Sequence, residues 1–267
     1  MLKLIEIGPP QDLLRQLQVW QDDVNERADY AAQVAKAKAA WDSHRSTHTM
    51  QDVATLLAQM CCGGRRCAYC EDSLADEVEH IWPKSLYPEL VFDWLNYLYA
   101  CGTCNRKKGA RFAVYPAASG PWQCVSRKPG DPVSAPVPGA MVFINPRCED
   151  PMQFFWLDLA DTFRLVPLPS LSQRDRERAD YTCENLPLNE PPRCVERENE
   201  YGNYRARLRD YVADKQKGAP TEVLDRHRAA LLRLRHQTVW FEMKRQQAKI
   251  PELAVLFAQA PEALGWV

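Results

Sequence analysis

Four cysteines of this chain occur in two pairs with the spacing of metal ligands. Cys67 and Cys70 form one CxxC pair, and Cys101 and Cys104 form a second pair after thirty intervening residues. Each pair can direct two thiolates at one ion, and four thiolates suit tetrahedral Zn²⁺. The spacing therefore predicts a structural zinc site. The alternative is that these are four unrelated buried or redox-active cysteines.

Polar residues between and just after the two pairs could serve a second metal ion. Glu79 and His80 are adjacent in residues 78–81, a stretch of β composition, while Asn96 lies further on and Asn105 directly follows the last paired cysteine. Adjacent residues of a strand point to opposite faces, so Glu79 and His80 need local distortion or a metal between them to act together. The zinc site alone predicts no catalysis, since adaptors and DNA-binding fingers use the same arrangement.

In the context of the cysteine pairs, His80, Asn96 and Asn105 resemble the His-Asn-Asn version of the HNH nuclease motif. The resemblance covers residues 67–109 closely. In that family, two strands and a helix wrap a treble-clef zinc knuckle. The resemblance implies that Glu79 and Asn105 bind a catalytic Mg²⁺ or Mn²⁺ ion, that His80 is the general base, and that Asn96 fastens the loop that aims it. Glu79 is one methylene longer than the aspartate common in HNH enzymes at large.

Phosphodiester hydrolysis gives these residue types a physical rationale of their own. A hard divalent cation prefers oxygen ligands, which a glutamate carboxylate and an asparagine amide supply. The ion offsets negative charge on the phosphate and on the leaving oxygen. A histidine with a pKa near neutrality can take the proton from an attacking water molecule, which contributes roughly 10²–10⁴ in rate. Glu79, His80 and Asn105 together therefore favour a metal-dependent nuclease.

The overall charge excludes binding of nucleic acid by bulk electrostatic attraction. The formal net charge is −1, so binding must rest on a local basic cluster, a metal or a positively charged partner. The residues predicted to contact phosphates are Lys84, Arg106, Lys107, Lys108 and Arg111. A solvated surface is the alternative interpretation of this cluster.

The order of motifs along a longer part of the chain indicates which type of HNH nuclease it resembles. Residues 67–71, 79–84 and 94–96 resemble segments of the PtuB-type HNH nucleases of Septu and retron anti-phage systems, and residues 178–186 match more weakly. That family also has glutamate before the histidine. The resemblance implies a defence nuclease that is controlled by, and assembled with, a PtuA-like ATPase of the ABC type. The near-neutral net charge of this chain is consistent with such a partner, because the partner could supply the positive charge that binds nucleic acid.

The remaining sequence predicts a mainly helical α+β protein in which the zinc-binding HNH module lies between helical regions. Periodicity predicts two helices between Pro10 and Met60, the first extending to Ala31 and the second starting near Thr47. We interpret them as a cap on the module, with a partner-binding surface as the alternative. The predicted regions are a helical lead-in (1–60), the nuclease module (61–112), a Pro- and Gly-rich loop or insertion (113–150) and a C-terminal helical region for partner docking (151–267).

The C-terminal region is expected to begin with a short strand pair, residues 154–157 with 162–166. Helical composition follows in 175–186 and 196–215, and a single basic helix is predicted over 222–249. The basic face of this helix is interpreted as solvated, with a groove-lining or partner-docking face as the alternative. No function is assigned to the other cysteines and histidines, which are Cys61, Cys62, Cys124, Cys148, Cys183, Cys194, His44, His48, His227 and His236.

Composition and termini exclude several classes of protein. Hydrophobic residues at 46% and charged residues at 26% exclude a mostly disordered chain. No apolar stretch reaches the roughly 20 residues that cross a bilayer, and the first residues are too few and too charged for a secretory signal. We therefore expect a cytoplasmic nuclease without a membrane partner, with DNA favoured over RNA. A non-catalytic zinc-binding nucleic-acid or adaptor module and a stand-alone restriction-type or mobile-element HNH nuclease stay open as alternatives.

Overall fold

Helices at both ends of the chain enclose a small central β-hairpin in the computed structural model, which describes residues 1–118 and 120–266. The helices are α1 (Gln11–Asn25), α2 (Tyr30–His44), α3 (His48–Met60), α4 (Cys62–Arg65), α5 (Gly102–Lys108), α6 (Gln173–Asn185), α7 (Pro191–Gln216), α8 (Thr221–Leu232), α9 (Gln237–Gln246) and α10 (Pro251–Gln259). The strands are β1 (Glu77–His80), β2 (Tyr97–Ala100), β3 (Ala113–Tyr115), β4 (Gln123–Cys124), β5 (Ala140–Met141), β6 (Phe155–Leu157) and β7 (Leu165–Pro167). None of the described helices is both long and apolar enough to cross a membrane.

Three helices, rather than the two expected, span residues 11–60. The predicted first helix was wrong beyond Asn25, because a new helix begins after a cap at Asp29. The Asp29 side chain accepts a hydrogen bond from Ala32 N at 2.8 Å. This bond satisfies a backbone amide that has no partner within the helix, as an N-cap does. Asp29 therefore marks the start of a new helix, α2, after α1 has ended. The predicted start near Thr47 is confirmed, since Thr47 caps α3.

The antiparallel hairpin of β1 and β2 joins two hydrophobic cores, and His80 pairs with Tyr97 in its register. Successive side chains of a strand point to opposite faces. Tyr97 and Tyr99 accordingly pack with α1, α2 and α3. Leu98 and Ala100 pack in a second core with the four paired cysteines and the C-terminal helices. The mainly helical α+β class, with two strands and a helix beside the cysteines, is confirmed.

Residues 113–150 were expected to be a long loop or insertion. They are mostly irregular, but they begin with strand β3 and contain two further short strands that pair with it. β4 and β5 each contribute two residues that pair with β3 in antiparallel orientation. Phe143 and Ile144 then enter the C-terminal core, so this segment packs on the same core as the C-terminal helices. Ser119 of the predicted loop lies outside the described residues.

The C-terminal region follows the expected order with one difference. The strand pair is confirmed as β6 with β7, and α6 and α7 cover the predicted helical stretches apart from Leu186, the C-cap of α6. The prediction of one helix over 222–249 was wrong, because α8 ends at Leu232 and α9 begins at Gln237. Between them, His236 is buried with a φ of 51°, and the Gln237 side chain donates to the Leu232 and Leu234 carbonyl oxygens. These contacts stabilise a turn from which α9 packs on α7.

Candidate active site

The four paired cysteines converge beside the end of β2. All four are buried, and their sulfur atoms lie within 4.8 Å of one another. Cys70 Sγ and Cys101 Sγ are 3.9 Å apart. Zinc–sulfur bonds of about 2.3 Å in a tetrahedron require sulfur separations of about 3.8 Å. The cluster of Cys67, Cys70, Cys101 and Cys104 therefore has the donor type and spacing that fit a zinc ion.

The loop after the first cysteine pair is tied to the C-terminal helices by two carboxylates. Glu71 accepts hydrogen bonds from Thr238 N at 2.8 Å and Thr238 Oγ1 at 2.6 Å, and lies 2.6 Å from the Met1 amino group. Burial opposes ionisation of Glu71, but the Met1 ammonium and Thr238 outweigh it and lower its pKa to about 2. Asp72 pairs with Arg193 at 3.2 Å. No local pattern in the sequence signals these partners, because they are far apart along the chain.

Glu79, His80 and Asn105 line a single cleft with a volume of about 600 Å³. Within the described chain, β1 is hydrogen-bonded to β2 along one edge, and its other edge carries no strand. Glu79 and His80, on opposite faces of β1, both contribute to the lining of the cleft. The register with β2 is regular, so the two adjacent residues line the cleft without local distortion, and a metal ion between them stays a prediction.

The imidazole of His80 is held from several sides. Its Nε2 lies 3.0 Å from the Val91 carbonyl oxygen, which can only accept, so Nε2 carries the proton and Nδ1 keeps a lone pair. Trp41 from α2 and Tyr97 from β2 pack edge-on against the ring, with centroids 4.3 and 5.3 Å away. Burial lowers the pKa of His80 well below its usual range, and Lys84 adds to the effect. The neutral imidazole therefore offers Nδ1 as a proton acceptor.

Glu79 is buried against a lysine. Lys108 Nζ lies 2.5 Å from Glu79 Oε1 and donates to the His80 carbonyl oxygen at 2.8 Å. Burial raises the pKa of Glu79, while Lys108 and Lys84 oppose the rise. Lys108 has no exposed surface. Its position therefore does not agree with the expected phosphate contact, because the ammonium is enclosed and already paired.

Asn105 lies on α5 and is oriented by a carboxylate that the sequence analysis missed. Its Nδ2 donates to Glu77 Oε2 at 2.6 Å, so the amide oxygen remains on the other side of the group. Glu77 and Glu79 are two residues apart on β1 and share one face of the strand, against which α5 packs. The alternation of β1 was the signal that could have identified Glu77.

The donors in the cleft fit a hard divalent cation. Glu79 contributes a carboxylate and Asn105 an amide oxygen, and such cations prefer oxygen ligands. In the part of the chain that the structure describes, the Lys108 ammonium lies 2.5 Å from Glu79 Oε1. A metal ion bound at this carboxylate would therefore share it with Lys108.

Comparison with known proteins identifies this part of the chain. Residues 67–111 match the family model for HNH endonuclease. They form an HNH module. The Septu protein PtuB of Bacillus thuringiensis is 45% identical over 58 residues, which are 20% of this chain and 23% of that protein. The chain thus aligns with less than a quarter of this relative, and the expected resemblance to HNH nucleases of PtuB type is confirmed over the matched segment.

Asn96 closes the loop that joins the two strands of the HNH module. Its Oδ1 accepts a hydrogen bond from Trp82 N at 2.7 Å, and its Nδ2 donates to the Trp82 and Leu90 carbonyl oxygens at 3.0 and 2.9 Å. Asn96 is buried outside the cleft lining. Val91, whose carbonyl oxygen orients His80, directly follows Leu90. These are the contacts that the predicted fastening role requires.

The basic residues of the HNH module occupy different environments. Arg106, Lys107 and Arg111 are exposed at or just beyond the end of α5. Lys107 forms a surface ion pair with Glu190 at 3.0 Å. Lys84 is partly buried and lines the cleft. The fold thus brings Lys84 to His80 and leaves the three exposed residues outside the cleft lining.

Replacing Lys108 with methionine is expected to lower the free energy of unfolding by about 3 kcal/mol, because Glu79 then lacks its buried counter-charge. Lys107→Met is the matched control at the next residue. Its ion pair is exposed and contributes less than about 1 kcal/mol. Urea denaturation of the purified chain without added Mg²⁺ measures both values. Equal small losses in the two variants would contradict the structural role of Lys108.

Proposed function

We propose that this chain is a metal-dependent HNH endonuclease that hydrolyses phosphodiester bonds of nucleic acid. The observation that carries the proposal is the single cleft in which a carboxylate, a neutral imidazole and an amide oxygen meet. The match of residues 67–111 to the HNH endonuclease family supports it. Both observations concern residues 67–111: the three polar groups that meet in the cleft lie within the segment that matches the family model.

Each polar residue of the cleft has a distinct task in this reaction. Nδ1 of His80 takes the proton from the attacking water, since Nε2 is engaged by the Val91 carbonyl oxygen. Glu79 and Asn105 would hold a Mg²⁺ or Mn²⁺ ion, which supplies positive charge to the phosphate and the leaving oxygen. Asn96 braces the loop that orients His80 and does not touch the substrate. Lys108 favours the ionised form of Glu79 and so opposes the rise in its pKa that burial causes.

A second metal has only a structural task in this proposal. Cys67, Cys70, Cys101 and Cys104 would hold Zn²⁺, for which their type, burial and spacing are suited. A tetrathiolate site without an open position does not activate water. Zn²⁺ bound by these cysteines would therefore hold the start of α5, and with it Asn105, beside the hairpin.

We further propose a biological context in anti-phage defence. The support is the similarity of one segment to the Septu protein PtuB. In this setting the chain is the effector nuclease of a cytoplasmic complex with an ABC-type, PtuA-like ATPase, and DNA is the favoured substrate. The net charge of −1 fits a partner that contributes positive charge for nucleic acid. The helices after residue 150 are the proposed docking surface for this partner.

Plasmid nicking by the purified chain, alone and with the co-expressed ATPase, tests the enzymatic proposal. We expect supercoiled plasmid to become nicked or linear with Mg²⁺ or Mn²⁺ and to stay intact without a divalent ion. Absence of cleavage of plasmid, single-stranded DNA and RNA in every combination would favour a non-catalytic zinc module. Full activity of the isolated chain, with no ATPase encoded beside its gene, would favour a stand-alone nuclease.

A further inference from the structure

Helix α2 of the N-terminal region forms one wall of the cleft. The residues of α2 and its C-cap that line it are Val34, Lys38, Trp41, Asp42 and Arg45. These positions follow the helical repeat, so they share one face of α2. The Trp41 ring packs on the His80 imidazole with centroids 4.3 Å apart. This contact holds α2 at a defined position relative to the proposed general base.

Two cations on this face lack an acidic partner. Lys38 and Arg45 are exposed, and neither lies within 4.0 Å of a carboxylate oxygen in the described residues. Lys84, on the module side of the cleft, likewise has no such partner there. In contrast, Lys36 on another face of α2 pairs with Asp23 at 2.5 Å. On α2 and its C-cap, the cations without an acidic partner are thus the ones that line the cleft.

The acids of the cleft do not balance these cations. Glu79 is paired with Lys108 at 2.5 Å, and Asp42 is the other acid among the lining residues. Burial lowers the pKa of Lys84, Glu79 and Asp42 oppose that change, and Lys108 and Arg45 add to it. Apart from Glu79, which is paired with Lys108, the cleft lining contains three cations, Lys38, Arg45 and Lys84, and one acid, Asp42. An anion bound between the walls would therefore be attracted by the excess positive charge.

The spacing along α2 suits a polyanion better than a single phosphate. Lys38 and Arg45 are seven residues apart, which is about 10 Å along a helix that rises about 1.5 Å per residue. A strand of B-DNA carries one phosphate per about 3.4 Å of axis, so this distance covers about three phosphates. Trp41 lies between the two cations and contacts His80. Cations therefore flank the position at which the bond would be cleaved.

We propose that Lys38 and Arg45 bind backbone phosphates on either side of the bond that faces His80. The N-terminal helices are then the second wall of a nucleic-acid cleft as well as a cap on the module. This inference rests on the proposed function, because it takes a nucleic-acid strand as the substrate. Lysine and arginine donate hydrogen bonds to phosphate oxygens, whereas the carboxylate of Asp42 repels them.

Oligonucleotide binding by the full chain over a range of salt concentrations, without added divalent ion, tests this role. The Lys38→Gln and Arg45→Gln double variant is expected to reduce the slope of log K against log salt by about 1.8 for duplex DNA and about 1.4 for a single strand. Asp42→Asn is expected to strengthen binding. The matched control combines Arg27→Gln with Lys36→Gln, which removes two cations that already have an acidic partner, and it should leave the slope unchanged.

An unchanged slope in the Lys38 and Arg45 variant would overturn this proposal. The proposal would also be overturned if the control variant showed an equal reduction of the slope, or if the unmodified chain did not bind the oligonucleotide. Plasmid cleavage by the unmodified chain reports on the proposed function separately. Cleavage with an unchanged slope refutes the role of α2 and leaves the nuclease. A reduced slope, with no cleavage either by the chain alone or with the co-expressed ATPase, refutes the nuclease and leaves phosphate binding at α2. Circular dichroism melting of each variant is the control for folding, and unchanged melting curves are expected because none of these side chains is buried.

Discussion

Substitution of His80 by alanine is expected to reduce phosphodiester cleavage by roughly 10²- to 10⁴-fold, because the cleft then lacks the group that takes the proton from water. The Val91 carbonyl oxygen engages Nε2 at 3.0 Å, so Nδ1 is the ring nitrogen available for this task. Burial keeps the pKa of His80 low, so the unmodified chain holds the base in its neutral form. Initial rates of plasmid nicking at saturating Mg²⁺ or Mn²⁺ measure the loss.

Folding has to be followed in the same variant, because His80 is buried against Trp41. Loss of a buried side chain of this kind costs roughly 1–3 kcal/mol, so thermal melting should shift while the spectrum stays native. His80→Gln keeps an amide donor for the Val91 carbonyl oxygen and is expected to be equally inactive. His227→Ala is the matched control, since His227 pairs with Asp214 outside the cleft. Retained cleavage by a folded His80→Ala chain would refute the catalytic assignment.

Replacing Cys101 with serine is expected to release zinc and unfold the HNH module. A structural zinc site contributes roughly 10–16 kcal/mol of folding free energy, which is comparable to or larger than the whole net stability of a domain, about 5–15 kcal/mol. Cys101 belongs to the same buried core as the C-terminal helices, so the loss should extend beyond the module. Zinc content per chain and the far-UV circular dichroism spectrum measure the result.

The control for this substitution is Cys124→Ser, which removes an exposed thiol on β4. This variant should keep both the metal and the fold. A Cys101→Ser chain that melts like the unmodified protein and contains no zinc would disprove the structural role of the ion. Loss of zinc with a fully native spectrum would point the same way.

The proposed catalytic residues are oriented by two different parts of the chain. His80 is packed by Trp41, which belongs to the N-terminal core. Glu79 is held by Lys108, whose ammonium lies 6.0 Å from the Phe143 ring centroid in the C-terminal core. A change in the packing of either core would therefore move one of these groups relative to the other.

Sequence spacing was sufficient for the features that act over a few residues. The CxxC pairs predicted the thiol cluster, because two residues between cysteines let both sulfur atoms face one ion. The β composition around Glu79 and His80 predicted β1, and Thr47 marked the start of α3 through its own side chain. The HNH resemblance and the α+β class followed from these local patterns.

Long-range packing decided the rest. Lys108 looked like a surface cation, since periodicity does not show which element covers a helix face, and packing of α5 on β1 buried it against Glu79. The helix expected over 222–249 is interrupted at His236, whose amide donates to the Glu71 carbonyl oxygen far away in the sequence. The wall formed by α2 was also unforeseen, because only the folded chain brings Trp41 to the imidazole. The sequence by itself determined which groups could do chemistry, whereas the tertiary structure decided which of them meet, because burial and charge pairing depend on residues that are distant along the chain.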